Sequence, residues 1–168
     1  MGTRLLPRNL DELFAHALTV EREATKRFAE LERFMRAAGL EHVADEFESI
    51  GREEREQYEA LALGTVGREL PAVADWEYAA HYLGPAADVA RAPRDAREAL
   101  MLAIAFERRT QTFYVDVAEH TFDDTMCAFA AEMAADESRH IARLERLLAR
   151  EPEAATPPGA GERLPLKP

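Results

Sequence analysis

The sequence has 168 residues, the size of one domain, and a formal net charge of −11 from 32 acidic and 21 basic residues. This excess of acid argues against a nucleic-acid partner, because binding to phosphates relies on a basic surface. The single cysteine, Cys127, excludes a disulfide within the chain. No membrane partner is expected, since no apolar run approaches the roughly 18 residues of a membrane span. Without the apolar segment of a signal peptide at the N-terminus, we expect a cytoplasmic protein.

Four long segments place hydrophobic residues three or four positions apart, which is the spacing of an amphipathic helix. Gly39 and Gly64 end the first two segments, as glycine commonly does at helix C-termini. The predicted helices, named A to D in chain order, cover about residues 10–38, 41–63 and 94–120, and from Asp123 or Asp124 to about residue 150. Either of these two aspartates could cap helix D.

The connection between helices B and C is too long for a tight turn. It contains AVADWEYAAHYLG, residues 72–84, which is predicted to form a short extra helix across the bundle. Short A–B and C–D loops with one long crossover predict an all-α four-helix bundle of the one-crossover type. We expect residues 1–151 to form this bundle, and the tail 152–168, rich in Pro, Gly and Ala, to be disordered.

A glutamate interrupts each of the four hydrophobic stripes near its middle. These residues are Glu21, Glu54, Glu107 and Glu137. The stripe of helix A, for example, is predicted to contain Phe14, Leu18, Glu21, Ala24, Phe28, Leu31 and Met35. Burying a lone carboxylate costs several kcal/mol, so four of them at one level of a bundle would repel one another severely. A pair of divalent metal ions among them is the simplest way to make that arrangement stable.

The helix patterns also repeat. VEREATKRFAEL in helix A resembles FERRTQTFYVDV in helix C, and EEREQYEAL in helix B resembles DESRHIARL in helix D. The repeat aligns Glu21 with Glu107, Phe28 with Tyr114, Glu54 with Glu137, and Gln57 with His140. This repeat predicts a pseudo-twofold bundle. In Glu137-x-x-His140, positions i and i+3 share one helix face, so a carboxylate and an imidazole can reach the same metal cluster.

These motifs, in this order, resemble the rubrerythrin-like branch of the ferritin-like di-iron carboxylate superfamily. The resemblance implies a ferritin-like four-helix bundle that binds two iron ions, with manganese or zinc as alternatives. It implies Glu21 and Glu107 as outer ligands, Glu54 and Glu137 as bridging ligands, and His140 as a nitrogen ligand. It further implies oxidation of Fe(II), or reduction of peroxide or dioxygen, and a homodimer.

Helix B departs from the family pattern at Gln57, where the family has a second histidine. Gln57 is expected to be a weak or water-mediated ligand, or a hydrogen-bonding neighbour of the site, or a sign that one metal has been lost. Thr110 stands where peroxide-reducing relatives often carry an additional glutamate, which argues against peroxidase activity. No four-cysteine electron-transfer domain follows, so an external electron donor is expected. The alternatives are a non-catalytic metal-binding or iron-storage bundle, or a structural bundle with a degenerate site.

Other polar residues are weaker candidates for the site. His81, in the crossover, is expected to pack in the loop, with replacement of the missing ligand as the alternative. Tyr114 lies two turns beyond Glu107 and is expected in the core, where it could donate a hydrogen bond to a ligating carboxylate. Four further acidic residues are expected at the solvated surface, paired with arginine: Glu23, Glu53, Glu56 and Asp136.

Overall fold

The computed structural model describes residues 6–73 and 92–152. Within these ranges the chain forms four helices: α1 Leu10–Ala37, α2 Glu41–Gly64, α3 Ala96–His120 and α4 Asp124–Leu148. Each of the predicted helices A to D is confirmed, with ends that differ by at most two residues. In the described part of the chain, no helix combines the length and the apolar character that crossing a bilayer demands.

Two predictions fall largely outside the described residues. Of the extra helix expected over 72–84, only residues 72 and 73 are described, and these two are not helical. His81 also lies outside the described residues. The predicted tail is described only as far as Pro152. The extra helix and the boundary between bundle and tail therefore stay predictions.

Side-chain caps set the beginnings of three helices. The carboxamide of Asn9 accepts a hydrogen bond from the Glu12 amide at 2.9 Å, and Asp95 accepts one from the Glu98 amide at 2.8 Å. Asp123 caps α4 by accepting from two backbone amides of its first turn. Each such cap stabilises a helix by about 1 kcal/mol because it satisfies amide groups that have no partner within the helix.

Short connections join the helices in antiparallel pairs. Gly39, with φ of +73°, makes the left-handed turn between α1 and α2, and residues 121–123 connect α3 to α4. Most helix–helix contact therefore occurs within the α1–α2 pair and within the α3–α4 pair.

Two apolar clusters fill the space between these pairs. The first lies where α1 ends and α2 begins, and includes Phe28, Leu31, Met35, Val43, Phe47, Ile50, Leu100, Ile104 and Leu144. The second lies at the other end, and includes Leu13, Ala17, Val20, Phe113, Tyr114, Val117, Met126, Ala130 and Met133. Between the two clusters each helix presents polar side chains, so the core consists of two apolar ends and a polar middle layer.

The first turns of α1 differ from the predicted stripe. Phe14 and Leu18 are only half-buried, whereas Leu13, Ala17 and Val20 are buried. Positions three and four residues apart both lie close to a helical stripe, and the packed interior selects the 13–17–20 set here. Phe14 instead packs edge-to-face against Phe129, with ring centroids 5.4 Å apart.

Gly51 lets α1 and α2 approach closely one turn before Glu54. A Cβ added at Gly51 would stand 3.0 Å from the Cβ of Phe28. Few real Cβ atoms are this close to a neighbour, so a larger residue would require the two helices to shift. Gly51 therefore contributes to the spacing of the α1–α2 pair.

Candidate metal centre

The polar middle layer contains six buried side chains contributed by all four helices. None is more than 2% exposed: Glu21 from α1, Glu54 from α2, Glu107 and Thr110 from α3, and Glu137 and His140 from α4. The four glutamates thus occupy one layer of the interior, as their spacing along the helices suggests.

The most compact part of the layer is formed by three carboxylates and one imidazole. Ligand atoms of Glu54, Glu107, Glu137 and His140 all lie within 4.8 Å of one another. The Nδ1 atom of His140 faces the carboxylates, at 2.7 Å from Glu54 Oε1, 3.3 Å from Glu107 Oε2 and 3.9 Å from Glu137 Oε2. Nε2 of the same ring points away from these three carboxylates and lies 3.2 Å from Glu53 Oε2.

Several carboxylate oxygens in the layer are buried without a hydrogen-bond partner. They are Glu21 Oε2, both oxygens of Glu54, Glu107 Oε1 and Glu137 Oε2. The 2.7 Å approach of His140 to Glu54 is an ion-pair distance, but it does not have the geometry of a hydrogen bond. Unpaired buried oxygens are costly, and divalent cations would satisfy them. Carboxylate oxygens with one imidazole nitrogen suit iron, manganese or zinc, so the residues fit a metal site.

Glu21 lies beside this compact group but outside it. The hydroxyl of Tyr114 donates a hydrogen bond to Glu21 Oε1 at 2.6 Å, and both side chains are fully buried. Burial raises the pKa of Tyr114 well above its ordinary value, so the phenol stays protonated and remains a donor. The expected contact between Tyr114 and a site carboxylate is therefore present, and its partner is Glu21.

Gln57 is held by a residue of α4. Its side-chain nitrogen donates a hydrogen bond to Asp136 Oδ2 at 2.7 Å, while its Oε1 atom is buried without a hydrogen-bond partner. The nitrogen of the Gln57 amide is therefore hydrogen-bonded to Asp136, and its oxygen remains without a hydrogen-bond partner.

The sequence matches the Rubrerythrin family over residues 12–148. The chain belongs to the rubrerythrin family. Its all-α, ferritin-like fold also matches the crystal structure of an uncharacterised conserved protein from Magnetospirillum magnetotacticum MS-1. That match has a TM-score of 0.79 and 25% sequence identity, and it covers 88% of this chain and 99% of the other. No curated protein matches the sequence.

Burial is the main influence on the pKa values of three carboxyl groups in the polar layer. It raises the pKa of the carboxyl groups of Glu21, Glu107 and Glu137 well above the ordinary value, and the nearby charge of Glu54 raises all three further. Burial alone lowers the pKa of His140, but the facing carboxylates, Glu54 above all, outweigh it and raise the pKa. Cations binding in this layer must therefore compete with protons.

The arginine pairs expected for Glu53 and Asp136 are present, but both carboxylates also contact side chains at the polar layer. Glu53 does pair with Arg143, at 2.6 Å from its Oε1, but its Oε2 lies 3.2 Å from His140 Nε2. Asp136 likewise pairs with Arg139 through Oδ1, while its Oδ2 accepts from Gln57. Both residues therefore contact side chains of the predicted ligand set.

A signal for these two residues is present in the helix repeat. The acidic pairs Glu53–Glu54 and Asp136–Glu137 occupy equivalent positions, so Glu54 and Glu137 each follow a second carboxylate. Charge and periodicity alone assign the second carboxylate to the surface. Only the repetition of the pair distinguishes it from the many other acidic residues of the chain.

Thr110 contributes no carboxylate to the layer. It is buried, and its hydroxyl donates to the carbonyl oxygen of Phe106 in the preceding turn of α3, at 3.4 Å. The hydroxyl proton of Thr110 is therefore used within its own helix.

Proposed function

We propose that this rubrerythrin-family protein is a non-haem di-iron protein that oxidises Fe(II) or reduces peroxide or dioxygen. The observation that carries the proposal is the buried layer of carboxylates in which several oxygens have no hydrogen-bond partner. The proposed ligands are Glu21 and Glu107 in outer positions, Glu54 and Glu137 in bridging positions, His140 as nitrogen ligand, and Gln57 as a weak ligand. An external donor supplies electrons, and the family resemblance favours a homodimer.

Charge balance supports two metal ions in preference to one. Four ionised carboxylates carry the same amount of charge as two divalent cations, so a pair of ions would neutralise the layer. The position of Glu21 outside the compact group also suits two ions, because outer ligands of different metals need not approach each other. When bound, the two iron ions would supply one electron each to the oxidant.

The chain's own residues would orient the ligands and keep the layer dry. Apolar clusters on both sides exclude water from the carboxylates. Tyr114 holds one oxygen of Glu21 and leaves the other available. Because His140 turns Nδ1 toward the carboxylates, Nδ1 is the nitrogen proposed to bind metal. Since Thr110 supplies no additional carboxylate, Fe(II) oxidation is favoured over peroxide reduction.

Anaerobic Fe(II) titration followed by dioxygen or peroxide tests the proposal. We expect two iron ions per chain and a change in the near-ultraviolet and visible spectrum when the oxidant is added. Glu137→Gln should abolish both results, whereas Glu132→Gln, at an exposed position of the same helix, should behave like the wild type. Binding of fewer than one iron per chain by the wild type, with no spectral change, would refute the proposal.

A metal-binding or storage protein with little turnover is the second candidate. The observation in its favour is Gln57, an amide where the other half of the repeat has an imidazole, because an amide oxygen is the poorer donor for iron. Steady-state consumption of peroxide with a supplied reductant separates the two candidates. Rapid turnover excludes simple storage, and metal analysis of protein purified from its own host identifies the native metal.

A further inference from the structure

The polar layer is bordered by two crossed contacts between α2 and α4. Glu53 of α2 reaches His140 of α4, at 3.2 Å from Nε2, and Asp136 of α4 reaches Gln57 of α2, at 2.7 Å from its amide nitrogen. In each case the carboxylate directly precedes a site glutamate, and its partner lies three residues after the site glutamate of the opposite helix. The two contacts are therefore equivalent under the helix repeat.

The contact with Asp136 fixes the orientation of the Gln57 side-chain amide. A carboxylate can only accept hydrogen bonds, so the nitrogen end of the amide must face it. Arg139 occupies Oδ1 of Asp136, and Gln57 occupies Oδ2. The opposite end of the amide, Oε1, is buried and lacks a hydrogen-bond partner. Asp136 thus selects which end of Gln57 is available to another group.

The helix repeat indicates what that other group is. In the second half, His140 lies 3.3 Å from the outer glutamate, Glu107. Because Gln57 aligns with His140 and Glu21 aligns with Glu107, the repeat pairs Gln57 with Glu21. An oxygen of Glu21 is also buried without a hydrogen-bond partner. Gln57 Oε1 and Glu21 Oε2 thus both lack a hydrogen-bond partner, and their residues are equivalent to His140 and Glu107 of the other half. One cation suits both oxygens, because it accepts an electron pair from each.

We propose that Asp136 is a positioning residue that fixes the Gln57 amide so that its carbonyl oxygen ligates the metal ion nearest Glu21. This inference rests on the proposed function, since it requires a two-metal site. Glu53 is the corresponding residue for His140, where it holds Nε2 and leaves Nδ1 to face the carboxylates. Outer partners of this kind typically change metal affinity by about 10- to 100-fold.

Co(II) titration of the metal-stripped full chain, followed by its visible absorption, tests the proposal. The wild type should bind two ions, and Asp136→Ala should weaken the weaker site by about tenfold or more. Gln57→Ala should weaken that site similarly, and the double variant should lose no more than either single variant. Glu132→Ala, an exposed residue one turn before Asp136, is the matched control and should leave both sites unchanged.

Gln57→His adds a gain-of-binding arm to the experiment. An imidazole at position 57 can donate to Asp136 with one nitrogen and ligate with the other, so it should tighten the weaker site. Asp136→Ala in that background should remove most of the gain. Unfolding midpoints of the metal-stripped variants show whether any loss of affinity reflects a damaged fold.

The outcomes separate this proposal from the proposed function. Wild-type protein that binds no Co(II) overturns both. Two bound ions with an affinity that Asp136→Ala changes by less than twofold overturn only the role of Asp136. Equal losses from Asp136→Ala with and without Gln57 also overturn it, because the aspartate would then act through its charge or the fold and not through the amide.

Discussion

The two halves of the bundle contain the same glutamates but different accessory residues. The α1–α2 pair provides Glu21 and Glu54, and the α3–α4 pair provides their equivalents. The halves differ where Gln57 aligns with His140 and where Phe28 aligns with Tyr114. Both helix pairs therefore present carboxylates at one level, whereas the accessory residues make the two sides of that level chemically unequal.

Residues of the α3–α4 pair hold side chains of the α1–α2 pair, which lacks the imidazole. Tyr114 of α3 donates to Glu21, and Asp136 of α4 holds Gln57. In the other direction, Glu53 of α2 contacts His140. Each half thus organises proposed ligands of its partner, and neither half is expected to form an ordered site alone.

The largest expected effect is the loss of metal binding by both halves of the bundle. Glu54→Ala and Glu137→Ala each remove a central carboxylate, so we expect either variant to lose both metal ions, with affinity lowered by more than about 100-fold. Iron per chain after gel filtration provides the measurement, with Glu132→Ala as the exposed control. Two tightly bound ions in either variant would contradict a shared central position for these carboxylates.

A second pair of variants measures the inequality of the halves directly. His140→Ala removes the imidazole and should weaken one metal by about 10- to 100-fold, whereas Gln57→Ala should cost about tenfold at the other. Isothermal titration with Zn(II) or Co(II) gives both affinities. If the two variants lose affinity equally, the amide and the imidazole are equivalent ligands and the asymmetry is unimportant.

The pH dependence of the metal-free protein tests whether both halves bury their outer carboxylates. Folding raises the pKa of Glu21 and Glu107 above the unfolded value of about 4.5. Their contribution to the free energy of unfolding is therefore fully present at pH values below about 4.5. That contribution is lost as pH rises through the folded value. The free energy of unfolding should therefore fall with rising pH, by up to about 1.4 kcal/mol per pH unit for each group.

Glu21→Gln and Glu107→Gln should each make this pH dependence shallower. Urea unfolding at several pH values between 5 and 8, in the presence of a chelator, is the measurement. Adding metal should reverse the trend, because ions compete better as protons leave. A metal-free stability that rises over this range would mean that the buried carboxyls do not dominate it.

The smallest expected effect comes from a substitution that makes the two halves more alike. Tyr114→Phe removes the hydroxyl that holds Glu21, as Phe28 has none to offer in the equivalent position. We expect a loss of about 1 kcal/mol in the free energy of unfolding, since a buried acceptor loses its donor. Tyr58→Phe, at a half-buried position of α2, should change it by less than about 0.5 kcal/mol.

Sequence periodicity was sufficient to predict the helices and the layer of glutamates. A charged residue within an apolar stripe is a local signal, so the placement of Glu54 and Glu137 in the interior needed no knowledge of the other helices. The phase of the first turns of α1 was predicted less well, because positions 13 and 14 both lie close to the stripe and only packing selects between them.

The contacts of Glu53 and Asp136 could not be predicted in the same way. Each joins α2 to α4 across a separation of 79 or 87 residues, and depends on how far the two helices are rotated about their axes. Tyr114 shows the same limitation. A hydrogen bond to a carboxylate could be expected, but its choice of Glu21, 93 residues away, follows from the way the helix pairs pack together.

The close approach at Gly51 has a consequence for how such a centre can change over evolution. Since a side chain there would press on Phe28, the distance between α1 and α2 depends on a residue outside the proposed ligand set. One codon change at this position could widen or tilt the gap between Glu21 and Glu54 while every proposed ligand is retained. Selection could thus adjust the size of ion accepted, or its reactivity, through the backbone alone.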